Sequence, residues 1–458
     1  MDATPIPATL EKHRQFFSTQ RTKDISFRQE MLRRMLAAVE AYEQKLTRAI
    51  YLDLRKAPFE TYATEIGWIK KEIRFHLKNL KKWAKPKRVK TPLIHFPASS
   101  FIYQEPYGVV LIIAPWNYPF YLLFNPLIGA ISAGNCVVLK PSSRSPHTSS
   151  VIEELITHTF DREYVSVFLG GREINQALWK EKFDYIFFTG NSEHGKVVME
   201  AASKNLTPVT LELGGKCPCI VDREAKINFA ARRIAWGKFL NAGQVCVSPD
   251  YLLVDREIKE PLVEALKKAV REFFGENPEK SPDFPRIINE KHFERICRLL
   301  EKGRILEGGK TNTKTRYIAP TIMDNISPHD PIMKEEIFGP LLPLIEYENL
   351  EDAISFVNSR PKPLASYFFS ENRKKQKKVI SHTSSGGACI NDTIIHLGST
   401  ALPFGGVGRS GMGAYHGKAS FDTFSHRKSV MRKSNLIDIK VRYAPYRGKM
   451  KIIKLFLQ

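Results

Sequence analysis

Cys246 closes the run Asn241-Ala-Gly-Gln-Val-Cys246 and is followed by Ser248-Pro249; no other of the six cysteines has so small, polar and glycine-bearing an approach. A thiol becomes a nucleophile where an electropositive, partly exposed setting stabilises its thiolate. Without such a setting it is a small buried hydrophobe. Glu212 ends the apolar run PVTLELG, just before Gly214-Gly215. A carboxylate there is costly unless it is paired or functional. Asn117 lies in Pro115-Trp116-Asn117-Tyr118-Pro119, a proline-bracketed turn after another apolar run.

Two glycine motifs resemble phosphate loops. Gly190-Asn-Ser-Glu-His-Gly195-Lys196 matches the first seven positions of a P-loop, but Val197 stands where a hydroxyl would hold magnesium. What remains is a strand, a glycine turn and a helix start, where backbone N–H groups favour a pyrophosphate. On these residues alone an ordinary strand–helix turn explains the pattern equally well. Gly406-Val-Gly408-Arg-Ser-Gly411 is a formal GxGxxG, but no usable strand precedes it, and it reads as a tight loop. Cys217-Pro218-Cys219 reads as two buried strand thiols, and without CxxC or HExxH no metal site is expected.

These residues need elements to position them. Over 8–84 the sequence reads as helical throughout, with Met31, Met35, Ala38, Tyr42 and Leu46 on one face and Ile69, Ile73, Leu77 and Leu80 on another, until Pro86 and Pro92. From 107 short apolar runs alternate with helical stretches: 107–113, 135–140, 164–170, 184–190 and 208–214, then 251–255, 337–347, 364–369 and 387–392. Runs apolar on both faces and separated by helices predict parallel sheets covered on both sides, hence two doubly wound α/β domains. Ser145 is the expected cap of the helix that opens at Pro146.

The chain has 458 residues, 43% apolar and 26% charged, so a large core and two to three domains are expected. The net charge of +22 is localised: 70–90 and 426–458 each carry ten Lys/Arg against one acidic residue. A rival reading is therefore a basic module docking on membrane or nucleic acid, but no nucleic-acid motif accompanies the charge. The N-terminal residues form no secretory signal, and few cysteines in a long chain suit a reducing compartment, so a cytoplasmic protein is expected.

PWNYP, VVLKPS, FTGN…G, LELGGK, GQVC, EEIFGP and PFGGVGRSGMG occur in this order, and together they resemble the aldehyde dehydrogenase superfamily. DLRKAPFE, TPVTLELGGKCPC, KEEIFGPLLPL, GAYHGKASFDTFSHRKSV and RYAPY are similar to its class 3 branch. The resemblance implies a Rossmann-like cofactor domain (1–85 and 104–211), an α/β catalytic domain (212–399), and a β-hairpin oligomerisation region with a C-terminal tail (86–103 and 400–458). It implies oxidation of medium- or long-chain aliphatic or aromatic aldehydes to acids with NAD or NADP, in a homodimer. By the same resemblance Cys246 is the nucleophile, the Asn117 amide with the Cys246 N–H is the oxyanion hole, and Glu212 activates the hydrolytic water. Lys140, Gly190, Asn191, Gly195, Glu336 and Phe338 match the cofactor contacts. One position departs: the branch reads Lys-Pro-Ser-Glu where this chain has Lys140-Pro141-Ser142-Ser143.

Overall fold

Apolar on both faces, the runs after 107 have no stable place except between layers of helix. In the computed structural model, which describes residues 5–457, five of them form a parallel sheet. Its spatial order is Val165–Val167, Cys136–Lys140, Val109–Ile113, Tyr185–Gly190, Val209–Leu213. The chain enters at the middle strand, winds outward one way, then crosses back and winds the other: the Rossmann order. The order reverses between Val109–Ile113 and Tyr185–Gly190, and the carboxyl ends at such a reversal are where open α/β sheets form a binding crevice. Asn117 follows the first of these strands and Asn191 the second.

A second sheet of seven strands has the order Arg304–Glu307, Thr321–Asp324, Leu341–Tyr347, Tyr251–Asp255, Pro218–Val221, Ala365–Phe369, Gly387–Ile390. Only the pairing of Arg304–Glu307 is antiparallel. A third, antiparallel sheet joins Lys87–Val89, Ala98–Pro106 and Ser425–Lys433 in register from Ser425 opposite Pro106 to Lys433 opposite Ala98. It stands away from the core, since nearly all its residues are exposed or half-buried.

Several expectations are corrected. The helical stretch 8–84 is broken at Gln20 (φ +64°) and Arg55 (φ +52°), both left-handed, and Tyr62–Ile66 widens into a π-helical turn. Ser145 does not cap the helix Pro146–Thr159; its hydroxyl donates to the Ser142 carbonyl. Asp53, at the end of Ile25–Leu54, takes that role by accepting from the His147 N–H (3.2 Å), the Thr148 N–H (2.8 Å) and the Thr148 hydroxyl (2.6 Å). A carboxylate brought in from another helix is the stronger acceptor, and no local pattern announces it. The run 337–347 becomes a strand only at Leu341; before it the chain is a loop in which Phe338 is left-handed (φ +49°).

Candidate active site

The Cys246 segment is held in an unfavourable conformation. After the helix Ile227–Phe239, Asn241 (φ +48°), Ala242 (φ +52°) and Gly243 (φ +74°) are left-handed in succession. For residues with a Cβ this costs roughly 1–2 kcal/mol each, so it persists only where neighbours impose it. Glu60 accepts from the Asn241 N–H at 2.9 Å. The Gln244 side chain donates to the carbonyls of Asn241 and Arg286, both at 3.0 Å, and accepts from the Ile288 N–H at 3.0 Å. A Cβ on Gly243 would lie 2.2 Å from the Gly339 carbonyl oxygen. That close approach seats the loop carrying Glu336 and Phe338 against the segment carrying Cys246.

Asn117 is tied to the same segment. Its side-chain amide donates to the Gln244 carbonyl at 3.0 Å, and its own carbonyl accepts from the Asn241 side chain at 2.9 Å and the Lys56 ammonium at 3.3 Å. Lys56 and Glu65 form a fully buried ion pair at 2.7 Å. The other Glu65 oxygen accepts from the Phe120 N–H (3.0 Å) and the Tyr121 N–H (3.2 Å), closing the turn after Asn117.

Glu212 is aligned by strand pairing on both sides, opposite Thr189 and Gly411. It is buried, and apart from the Cys246 thiol neither carboxylate oxygen has a hydrogen-bond partner among the described residues. Burial pushes it up to about 8, and the side chain facing it is Cys246. Glu336 is also pushed up to about 8, by burial and then by Asp250. A Cβ on Gly214 would lie 2.0 Å from a Glu336 oxygen, so the glycines after Glu212 make room for that carboxylate. The half-buried Cys246 thiol is raised well above its ordinary range by burial and by Glu212 and Glu336. The electropositive setting that favours a thiolate is not what surrounds it: the groups acting on the thiol are carboxylates and the neighbouring Cys217. Cys217 and Cys219 are the two buried thiols expected, and Cys217 donates to the Cys246 carbonyl at 3.4 Å.

The structure thus brings together Cys246, Glu212, Glu336 and Asn117, with Phe338 alongside. Phe338 meets Trp116 edge-on at 5.4 Å, and Trp116 lies 5.2 Å from the His292 ring. Arg144 donates to His292, which burial and Arg144 push down to about 4, so the imidazole is a neutral acceptor. Lys140 ends the strand beside Val109–Ile113, but its buried amine is turned onto the Pro141 carbonyl at 2.7 Å; Ser143 and Arg144 are the exposed residues of that turn. Gly190 and Asn191 lie at the crevice, where Asn191 caps the helix Ser192–Ser203 by accepting from the His194 N–H. Gly195 is a packing glycine: a Cβ would lie 2.9 Å from Leu213. The GxGxxG segment adds an antiparallel edge to the cofactor sheet, Gly411 opposite Glu212, rather than lying with the outer hairpin.

Lys56 and Glu60 lie in DLRKAPFE and Gln244 in GQVC, but the motifs themselves give none of them, nor Glu65, a role at the site. One signal marks Glu65: counting back four residues from Ile69 along its apolar face lands on a carboxylate. Tyr121 and Tyr415 were missed as well; each is buried or half-buried and within electrostatic reach of Glu212 and Cys246.

A sheet in Rossmann order beside a second α/β sheet, with a cysteine, a buried carboxylate and an amide brought together near the ends of its strands, suits a cofactor-dependent oxidoreductase. Residues 1–430 match the aldehyde dehydrogenase family, and the chain belongs to that family. It is 52% identical to a 4,4'-diaponeurosporen-aldehyde dehydrogenase of Staphylococcus aureus (strain NCTC 8325 / PS 47), over 97% of each chain. It is 46% identical to a dimeric, NADP-preferring aldehyde dehydrogenase of Mus musculus, over 97% of this chain and 99% of that one. A solved structure of Staphylococcus aureus AldH in a substrate-bound state superposes with a TM-score of 0.98 at 51% identity, covering 99% of this chain and 100% of that one. The protein is accordingly an oxidoreductase that oxidises aldehydes with NAD or NADP.

Proposed function

We propose that the oxidation proceeds through Cys246. Its thiolate attacks the aldehyde carbonyl, and the side-chain amide of Asn117 with the Cys246 N–H takes the developing negative charge. When bound, NAD or NADP supplies the hydride acceptor. The thioester left on Cys246 is then attacked by water whose proton Glu212 accepts, releasing the carboxylic acid and the thiol. The observation that carries this reading is a pair of buried carboxylates around one thiol: Glu212 and Glu336 both act on Cys246, and among the described residues both Glu212 oxygens and one Glu336 oxygen lack any other hydrogen-bond partner. Buried polar groups are almost always partnered, so orphans that converge point to a ligand.

The crevice suits a dinucleotide. Ser192–Ser203 starts at the carboxyl end of Tyr185–Gly190, with Asn191 as its cap, and would receive the pyrophosphate. Lys140 would hold the adenosine ribose, and Glu336 and Phe338 the nicotinamide riboside. We assign the cofactor unit to 1–85 and 104–211 and the catalytic unit to 212–399. Medium- or long-chain aliphatic or aromatic aldehydes are the proposed substrates, in keeping with the long apolar aldehyde named for the Staphylococcus aureus relative. A homodimer is supported by the largely exposed edge strand Ser425–Lys433, since exposed edges invite pairing. A cytoplasmic location is proposed; no helix among the described residues is long and apolar enough to cross a membrane.

Mixing protein, cofactor and a panel of aldehydes while following absorbance of the reduced cofactor tests the function. The expected result is turnover that Cys246→Ala abolishes while cofactor binding persists. Retained turnover in Cys246→Ala would overturn it.

Peripheral contact with anionic membrane is a second reading, favoured by the helix Met450–Leu457, where Met450, Ile452, Leu455 and Leu457 are exposed among Lys451 and Lys454. Sedimentation with anionic vesicles at low salt and release at high salt is expected; no sedimentation, or sedimentation insensitive to salt, would refute it.

A further inference from the structure

We propose that Lys56, Glu60 and Glu65 form a brace that sets the Asn117 amide against Cys246, acting as positioning residues for the oxyanion hole. The inference rests on the roles proposed above for Asn117 and Cys246.

These three residues lie within one ten-residue stretch of the N-terminal helical region, far in sequence from both segments they hold. Lys56 donates to the Asn117 carbonyl and to Glu65, Glu65 also accepts from the Phe120 and Tyr121 N–H groups, and Glu60 accepts from the Asn241 N–H. The Asn241 side chain donates to the same Asn117 carbonyl that Lys56 reaches. Lys56 also sits 4.1 Å from the centroid of the Tyr118 ring. The turn bearing the amide and the turn bearing the thiol are bonded to each other, and the Lys56–Glu65 pair holds the first while Glu60 holds the second. The left-handed backbone at Asn241 and Ala242 is part of what the brace holds.

Stability does not explain an ion pair at this position. A fully buried Lys–Glu pair gains little over well-packed apolar side chains of similar volume, because desolvation offsets the attraction. An ammonium and a carboxylate provide instead directed bonds onto backbone groups of two separate segments. An oxyanion hole needs such direction, because displacing a donor by about 1 Å is enough to lose about 100-fold in rate.

Two reagents separate positioning from general damage. 4-Nitrophenyl acetate acylates Cys246 by attack of the thiolate on the ester carbonyl with loss of 4-nitrophenolate, a step that needs the oxyanion hole and no cofactor. Iodoacetamide alkylates the same thiol by displacing iodide, with no oxyanion formed. In Lys56→Met the acylation rate is expected to fall about 10- to 100-fold, while alkylation stays within about threefold of the parent. In an Asn117→Ala background Lys56→Met should change acylation by less than about threefold, because the group it positions is gone. Lys56→Arg, which keeps the charge, should recover most of the acylation rate.

A parental ratio of acylation to alkylation in Lys56→Met, or losses that multiply in the double variant, would overturn the brace. Should Lys56→Met not fold, Glu65→Gln provides the same reading: it keeps an acceptor for the Phe120 and Tyr121 N–H groups but loses the ion pair. A fall in its acylation ratio of at least about fivefold supports the brace, and a parental ratio refutes it. An Asn117→Ala variant that acylates at the parental rate would instead refute the oxyanion role of Asn117 itself.

Discussion

The side-chain amide of Asn117 donates to the main-chain carbonyl of Gln244 at 3.0 Å, two residues before Cys246. One amide hydrogen is thereby fixed on the segment that carries the nucleophile, and the second is free to meet an oxyanion formed on Cys246. Asn117→Ala should therefore lower kcat by about 100- to 1000-fold with cofactor binding unchanged. Asn117→Asp should be worse, because a carboxylate repels the developing charge. Steady-state kinetics beside a cofactor titration checks this, and a loss confined to KM would count against it.

Glu212 meets its role only when ionised, and burial pushes its carboxyl up to about 8. Turnover should climb as pH rises through that value, because the fraction of carboxylate able to accept a proton from water grows. Glu212→Gln should still form the thioester, giving one burst of reduced cofactor and then a stall. A variant that turns over at the parental rate would remove Glu212 from the hydrolytic step.

The same burial has an opposite consequence for stability. Glu212 and Glu336 hold their protons up to about 8 in the folded chain, against an ordinary value of 4.5. Between those values the folded state binds more protons than the unfolded one, so these groups make stability fall as pH rises from about 5 to about 8. Glu336→Gln should melt at a higher temperature than the parent at pH 8 and at the same temperature near pH 5. Calorimetric melting at the two pH values decides it; a variant less stable at pH 8 would contradict the sign.

Cofactor choice turns on the end of Cys136–Lys140. Ser143 leaves no carboxylate to repel a 2′-phosphate, and the exposed cation of that turn is Arg144, since the Lys140 amine is buried against Pro141. NADP should be used at least comparably with NAD, and Ser143→Glu should shift preference toward NAD by about 10-fold or more, the size of a charge-assisted hydrogen bond gained on the ribose. Arg144→Ala should weaken NADP without weakening NAD. Comparing kcat/KM for both cofactors in the three proteins is the check, and a parent strongly selective for NAD would refute it.

Sequence by itself determined the parallel sheets and the order of the motifs in which Cys246, Glu212 and Asn117 stand as candidates. The physical reason is that these signals are local: alternation of doubly apolar runs with helices, glycines where chains approach, and polar residues at strand ends. What it left undecided depended on contacts between distant segments. Only the tertiary structure decided that Asp53 rather than Ser145 caps Pro146–Thr159. It also decided that carboxylates rather than cations surround the Cys246 thiol, and that the GxGxxG segment is a strand edge beside Glu212. The Lys56–Glu65 pair lay outside what spacing can reveal, because a lysine on a surface and a lysine buried beside a carboxylate look alike in one dimension. Burial sets both the cost of each charge and its partner, and burial exists only once the chain has folded.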